Sequence, residues 1–237
     1  MNIYFILPSS NLTGPIKGAF AIANMLINFH SVTIIFLKGN HTLGNLLNSK
    51  IKTISLNKKI FFISKVISIR NIIKAKKNNQ NIVFSICFSA DFLSIFLRDK
   101  VTKISSIRGN LYKNYFCKYS FPGYLLALFH ILIQRYFDKT IVMNEHMYHQ
   151  VKSFTKKDPF IIRNFIDESY VSKYFNKSIS RDKSLSFVFV GPLIKRKAPI
   201  TILKAIKELS FNYDVNLHLI GDGPLIKKIN LYIKRNN

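Results

Sequence analysis

The chain has 237 residues, of which 48% are hydrophobic and 14% aromatic, and its formal net charge is +25. A chain with that apolar fraction can form a core, which excludes a disordered protein. No uninterrupted apolar run reaches the length that spans a bilayer. The excess of 36 Lys and Arg over 11 Asp and Glu favours anionic partners, although a gene biased toward Lys, Asn, Ile and Phe explains the charge equally well.

Short β-rich runs alternate with segments of helical period along the first two thirds of the chain. The predicted strands are Asn2–Leu7, Ser31–Leu37, Ile51–Leu56, Asn81–Ile86, Val101–Ile107, Thr140–Met143 and Pro159–Arg163. The predicted helices are Gly18–Phe29, Phe61–Lys77, Ala90–Arg98, Phe121–Phe137 and Asn144–Phe154, and Asn144 can cap the last of them. This alternation predicts an α/β fold with a mostly parallel sheet and helices on both faces.

A polar stretch, Asn176–Ser184, interrupts this pattern and indicates a domain boundary. Beyond it the predicted elements are strand Ser186–Val190, helix Pro199–Leu209, strand Asn216–Ile220 and helix Pro224–Arg235. Two strands and two helices do not close a doubly wound sheet, so an open strand edge is expected. We therefore predict a complete Rossmann-like domain over residues 1–175 and an incomplete second one over residues 185–237.

Two loops in the predicted first domain follow strands and carry candidate cleft residues. Ligands of open α/β sheets bind beyond the carboxyl ends of the strands. Thr13 and Gly14 precede a helix whose amino terminus favours an anion, and Arg108 could grip a phosphate or carboxylate in a fork. An ordinary strand-to-helix turn and a solvated loop arginine are the competing interpretations.

The predicted second domain has two further loops of this kind. Gly191 is followed by Lys195, Arg196 and Lys197 immediately ahead of a helix, which indicates a diphosphate-binding site, although charge runs are usually solvated faces. The second loop contains Gly221, Gly223 and Pro224 between a strand and a helix, a combination that is also common in ordinary turns.

Other kinds of site find little support. The dinucleotide spacing G-x-G-x-x-G is missing, which argues against a nicotinamide or flavin cofactor. Cys87 and Cys117 have no metal-ligand spacing, and no further ligands accompany His146 and His149. His130 lies on an apolar helix, where a packing role is expected. No catalytic triad is readable, so the catalytic residues stay unassigned, and neither a metal nor another cofactor is expected.

Four segments, in this order and at this spacing, resemble motifs of the GT-B glycosyltransferases of the large retaining family 4, which includes builders of bacterial O-antigen and capsule polysaccharides. They are Thr140–Glu145, Ile161–Asp167, Phe187–Ala198 and Leu217–Pro224. The resemblance implies two Rossmann-like domains that face a cleft, with the acceptor bound mainly by the first and the nucleotide-sugar donor mainly by the second. It also implies transfer with retention of configuration and without a metal.

The resemblance assigns roles to individual residues. Lys197 matches the diphosphate-binding lysine, Gly191 the glycine of the same motif and Asn164 a cleft asparagine, while Arg108 stands where many members carry histidine. Pro192 replaces the arginine of the motif, so Lys195 or Arg196 would have to supply that phosphate contact. The paired glutamates of the E-x(7)-E motif are not found before the chain ends, which predicts weak donor binding and little turnover.

We therefore expect a glycosyltransferase that moves a sugar from a nucleotide-sugar donor to a lipid-linked glycan acceptor in O-antigen or capsule synthesis. The expected location is the cytoplasm, peripheral on the inner face of the cell membrane, because cations and aromatics interleave over residues 112–121 and suit an anionic headgroup interface. The alternative is a catalytically inactive, truncated remnant of such an enzyme. A nucleic-acid-binding protein is not expected, since no known module of that class is visible.

Overall fold

The computed structural model describes residues 1–39, 46–56, 61–74, 80–97, 100–164 and 184–236. The chain divides into two compact units, Met1–Val171 and Ser172–Asn237. The predicted boundary at Asn176–Ser184 lies outside the described residues except for Ser184. Each unit is built from parallel strands and helices, and each is described by itself below.

The first unit contains a seven-stranded sheet in which every neighbouring pair is parallel. Its strands are β1 (Asn2–Leu7), β2 (Ser31–Phe36), β3 (Lys52–Ser55), β4 (Asn81–Ile86), β5 (Val101–Ser106), β6 (Lys139–Val142) and β7 (Phe160–Ile161). The spatial order is β3-β2-β1-β4-β5-β6-β7, so the order reverses between β1 and β4. Doubly wound sheets bind ligands at such a switch point.

Helices cover both faces of this sheet. They are α1 (Gly14–Leu26), α2 (Phe62–Lys74), α3 (Phe88–Ser94), α4 (Leu111–Tyr119), α5 (Pro122–Leu132) and α6 (Glu145–Thr155). Successive side chains of β1 point to opposite faces: Phe5 joins a core with α1, and Tyr4 and Ile6 join a core with α2 and α3. A third cluster packs α4, α5 and α6 together. The predicted α/β fold with a parallel sheet is confirmed.

Several predicted helix bounds were wrong. α1 begins at Gly14 rather than Gly18, because Pro15 has the fixed φ angle that suits a first helical turn. α4 was not predicted, because cations interrupt its apolar period and only Leu111 is buried. α5 ends at Leu132 and continues as a short 3-10 helix. The predicted cap of α6 is confirmed, since Asn144 Oδ1 accepts the backbone N–H of Met147 at 3.0 Å.

The second unit has a two-stranded parallel sheet of β8 (Leu185–Val190) and β9 (Val215–Ile220), with α7 (Pro199–Leu209) and α8 (Ile226–Asn236). Leu193, Leu203 and Ile229 form the centre of its core. Val188 and Val190 lie on the opposite face of the sheet and are 61% and 71% exposed. The helices of this unit therefore cover one face of the two strands.

Candidate functional site

A cavity of about 420 Å³ lies at the carboxyl edge of the first sheet. The strand ends contribute Pro8 after β1, Lys38 after β2, Cys87 after β4, and Ser106 and Arg108 at the end of β5, while the helices contribute Tyr115, Lys118 and His130. Several strands end at the same edge because they are parallel, so residues far apart in the chain meet there.

Two predicted cleft residues are in direct contact beside this cavity. Arg108 Nη1 donates a hydrogen bond to Asn164 Oδ1 at 3.0 Å. Burial lowers the pKa of the Arg108 guanidinium, which nonetheless stays charged because its ordinary pKa is so high. Arg108 Nε is buried and has no hydrogen-bond partner among the described residues. The guanidinium therefore retains an unused donor.

Thr13 and Gly14 lie at the start of α1, close to the same edge. Thr13 is the extended residue that precedes the helix, and its side chain makes no capping hydrogen bond. A Cβ at Gly14 would meet nothing within 4 Å, whereas one at Gly18 would lie 4.0 Å from Arg108 Nη2. The first turns of α1 therefore approach the guanidinium through Gly18, and Gly14 is not required there for space.

A chain of buried hydrogen bonds leads from the cavity into the sheet. Asp91 is fully buried, and its carboxylate accepts hydrogen bonds from His130 Nε2 at 2.7 Å and from Ser105 Oγ at 2.9 Å. Ser85 Oγ and Gln134 Nε2 also donate to it. On the cavity side, His130 Nδ1 is 2.9 Å from the hydroxyl of Tyr115. We expected His130 only to pack in the core. Its ring also connects Tyr115, which lines the cavity, to the buried carboxylate of Asp91.

The environment of the cavity keeps two of its groups neutral. Burial, and secondly the charge of Asp91, raise the pKa of the Cys87 thiol to about 11. The same two causes raise the pKa of Tyr115. Cys87 also has a φ of 74°, a backbone conformation that residues other than glycine rarely adopt. Backbone strain of this kind concentrates at functional sites, which supports the cavity as such a site.

Sequence reasoning missed Asp91, although a signal was present. It is an acidic residue within an otherwise apolar stretch of α3, in a chain with only 11 acidic residues. A carboxylate in that position must find donors, since an unpaired buried charge is strongly unfavourable. The partners are not readable from the sequence, because His130 lies 39 positions away.

Two glycine-containing loops contact each other at the carboxyl ends of β8 and β9. The first contains Gly191, and the second contains Gly221 and Gly223. Gly191 N–H donates to the carbonyl of Ile220 at 3.0 Å. A Cβ at Gly221 would overlap the carbonyl oxygen of Gly191, and a Cβ at Gly223 would lie 2.6 Å from the carbonyl oxygen of Leu193. Glycine is therefore required at Gly221 and Gly223 by the close approach of the two backbones.

Three cations occupy the first of these loops. Lys195, Arg196 and Lys197 form a short 3-10 turn, and all three side chains are exposed. Ala198 follows in a left-handed conformation, with φ of 50°, and α7 begins at the next residue. The donor-side residues predicted from the sequence thus lie together at one end of the second unit, beside a helix amino terminus that favours anions.

Within the described parts of the chain, no group of three or more His, Cys, Asp or Glu side chains could hold a metal ion. His146 instead lies 2.7 Å from Asn110 Nδ2. Cys87 and Cys117 are both free thiols. No helix in the same residues is both long and apolar enough to cross a membrane.

Comparisons with known proteins agree with this architecture. No family model matches the chain. It is 29% identical over 100 residues to an uncharacterized glycosyltransferase, MJ1178, of Methanocaldococcus jannaschii, and that alignment covers 42% of this chain and 25% of the relative.

Solved structures share the fold. The apo lipopolysaccharide outer core galactosyltransferase WaaB matches with a TM-score of 0.64 at 18% identity, over 99% of this chain and 65% of that one. TarM matches with 0.71 at 11% identity, over 100% and 74%. Phytolacca americana UGT2, complexed with UDP-2fluoro-glucose and pterostilbene, matches with 0.57 at 12% identity, over 92% and 70%. The chain therefore has a GT-B-like fold and spans about two thirds of the length of these neighbours.

Proposed function

We propose that the protein is a glycosyltransferase that moves a sugar from a nucleotide-sugar donor to a lipid-linked glycan acceptor in cell-surface polysaccharide synthesis. The fold neighbours and the glycosyltransferase relative support the reaction class. The resemblance of four segments to family 4 supports retention of the anomeric configuration. The pathway follows from the same resemblance.

The observation that carries the proposal is the pair of glycine loops in the second unit. Gly191 and Gly221 bring two backbones together, and Lys195, Arg196 and Lys197 stand exposed directly ahead of α7. A diphosphate at this place would meet fixed positive charge and free helix N–H groups. Both also stabilise the charge that develops on a nucleoside diphosphate as it leaves, so the proposed reaction needs no metal.

A lipid-linked acceptor requires contact with a membrane, and α4 and α5 carry a suitable surface. We define the aromatic surface as Phe116, Tyr119, Phe121, Tyr124 and Leu125. All five side chains are exposed, Phe121 by 74% and Leu125 by 67%. Neither helix contains an acidic residue, and Lys113 and Lys118 lie exposed on α4. Apolar side chains flanked by cations match an anionic lipid interface, so we propose a peripheral location on the cytoplasmic face of the cell membrane.

Binding to lipid vesicles tests the membrane contact. The protein should bind vesicles that contain anionic lipid, and added salt should weaken that binding because it screens the cations. Replacing Phe121 and Leu125 with Ala should reduce binding, whereas Phe211→Ala, which removes a ring that is 76% exposed in the second unit, should not. Equal binding to neutral vesicles would contradict the proposed surface.

A transfer assay tests the reaction itself. The protein is incubated with a panel of radiolabelled nucleotide sugars and with polyprenyl diphosphate saccharides, and the label in the lipid fraction is counted. We expect one nucleotide sugar to label the lipid, and Lys197→Ala to lower the rate about 10- to 100-fold, the effect of losing one charge-assisted contact. Lys234→Ala, in the last turn of α8, is the matched control and should transfer at the original rate. Absence of label with every donor would refute the proposed function.

A further inference from the structure

We propose that the cavity of the first unit binds a phosphate group, held by Arg108 and Ser106, as part of the ligand on the acceptor side. The assignment of that phosphate to the acceptor rests on the proposed function. The binding of phosphate itself rests on the cavity alone, and the experiment below separates the two.

Two buried donors at the end of β5 lack hydrogen-bond partners among the described residues. Ser106 Oγ belongs to a residue that is only 1% exposed, and it makes no hydrogen bond to any described residue. Arg108 as a whole is half-buried, but its Nε atom is buried and likewise makes no hydrogen bond to a described residue. Both residues line the cavity. Buried polar groups are normally satisfied, so two unpaired donors on residues that line one cavity indicate a ligand that supplies acceptor oxygens.

The charge of the cavity wall specifies an anionic ligand. Lys38, Arg108 and Lys118 line it, and no Asp or Glu is found among the lining residues that the structure describes. The nearby carboxylate of Asp91 is already engaged by four donors. An anion that entered the cavity would therefore meet three cations and no competing carboxylate from the described part of the wall.

The size of the cavity indicates that the phosphate belongs to a larger molecule. A volume of about 420 Å³ exceeds what a lone phosphate occupies and lies within the range of small-molecule sites. Phe88, Leu126 and Tyr119 add apolar wall to the cationic part. A glycan phosphate or a lipid diphosphate offers a charged group beside less polar surface, which fits this division.

Cys87 lines the cavity and reports on its occupancy. The chain has two cysteines, so Cys117→Ser leaves Cys87 as the single thiol. Its modification by methyl methanethiosulfonate is followed at pH 9 with increasing inorganic phosphate or glycerol 1-phosphate, at constant ionic strength. A ligand on Arg108 and Ser106 covers the thiol, so we expect saturating phosphate to slow modification at least fivefold.

Three variants test the assignment in the same background. Arg108→Gln should raise the phosphate concentration needed for half-protection about 10-fold or more, and Ser106→Ala should raise it by a smaller factor. Arg235→Gln, the matched control, removes one charge from α8 in the second unit and should leave protection unchanged. Circular dichroism of each variant confirms that the fold persists.

The outcomes are distinct. Modification that phosphate does not slow, or protection that survives Arg108→Gln, would overturn the site. Protection by glucuronate at lower concentration than by phosphate would overturn the choice of phosphate in favour of a carboxylate. If phosphate protects Cys87 but no sugar is transferred, the phosphate site stands and the proposed function is rejected. If sugar is transferred but phosphate does not protect Cys87, the proposed function stands and the phosphate site is rejected.

Discussion

His130 Nε2 and Asp91 Oδ2 lie 2.7 Å apart, although the two residues are 39 positions apart in the chain, and both side chains are at most 3% exposed. This contact ties α3 to α5, and through the serines that also bind Asp91 it reaches β4 and β5. The cavity wall and the centre of the sheet are therefore coupled by one buried carboxylate.

Removal of that carboxylate should destabilise the first unit. Asp91→Ala removes the acceptor of four buried donors, of which Gln134 Nε2 alone keeps another, the carbonyl of His130. The free energy of unfolding should therefore fall by about 3–5 kcal/mol. Urea denaturation followed by circular dichroism measures it. The matched control is Asp158→Ala, whose carboxylate is exposed beside Lys152 and whose loss should barely move the unfolding midpoint. Equal effects of the two substitutions would show that the buried network does not stabilise the fold.

Stability at alkaline pH should report on Cys87. Burial raises its pKa from 9.0 in the unfolded chain to about 11, so between these values the unfolded chain releases a proton that the folded protein retains. The contribution of Cys87 is thus fully present below pH 9 and is lost as pH rises toward 11. The free energy of unfolding should fall less steeply over this window in Cys87→Ala than in the original protein. Parallel pH profiles would contradict the raised pKa.

The packing of α4 against α5 should depend on Gly123. A Cβ there would overlap the backbone carbonyl of Tyr115, so Gly123→Ala should lower the free energy of unfolding by about 1–3 kcal/mol through overpacking. Gly14→Ala is the control, because a Cβ at Gly14 meets open space. Thermal denaturation compares the two. A neutral result at Gly123 would mean that the helices separate at little cost.

How far the sequence anticipates this structure differs between elements. The strands, the cap at Asn144 and the α/β class follow from local signals, namely β-rich runs, a capping side chain and alternation of strand and helix. α4 was missed because its exposed aromatics and cations obscure the apolar period. The contact of Arg108 with Asn164 spans 56 positions, and only the parallel sheet brings these residues together.

Chelation of metals should leave sugar transfer unchanged. At the proposed donor site, Lys195, Arg196 and Lys197 offer positive charge of the kind that a metal ion can supply, and they stand at a helix amino terminus. Transfer rates measured with and without EDTA, after extensive dialysis, should agree within twofold. A loss of activity that Mg²⁺ or Mn²⁺ restores would show that these cations do not suffice.

Hydrogen–deuterium exchange with nucleoside diphosphates tests the central claim most directly, because it locates the donor on the chain. UDP, GDP, ADP and dTDP are compared with the free protein. We expect one of them to slow amide exchange over residues 191–202 and 221–226, and Lys197→Ala to remove this protection. Unchanged exchange in both segments with every nucleotide would contradict a donor site at the glycine loops.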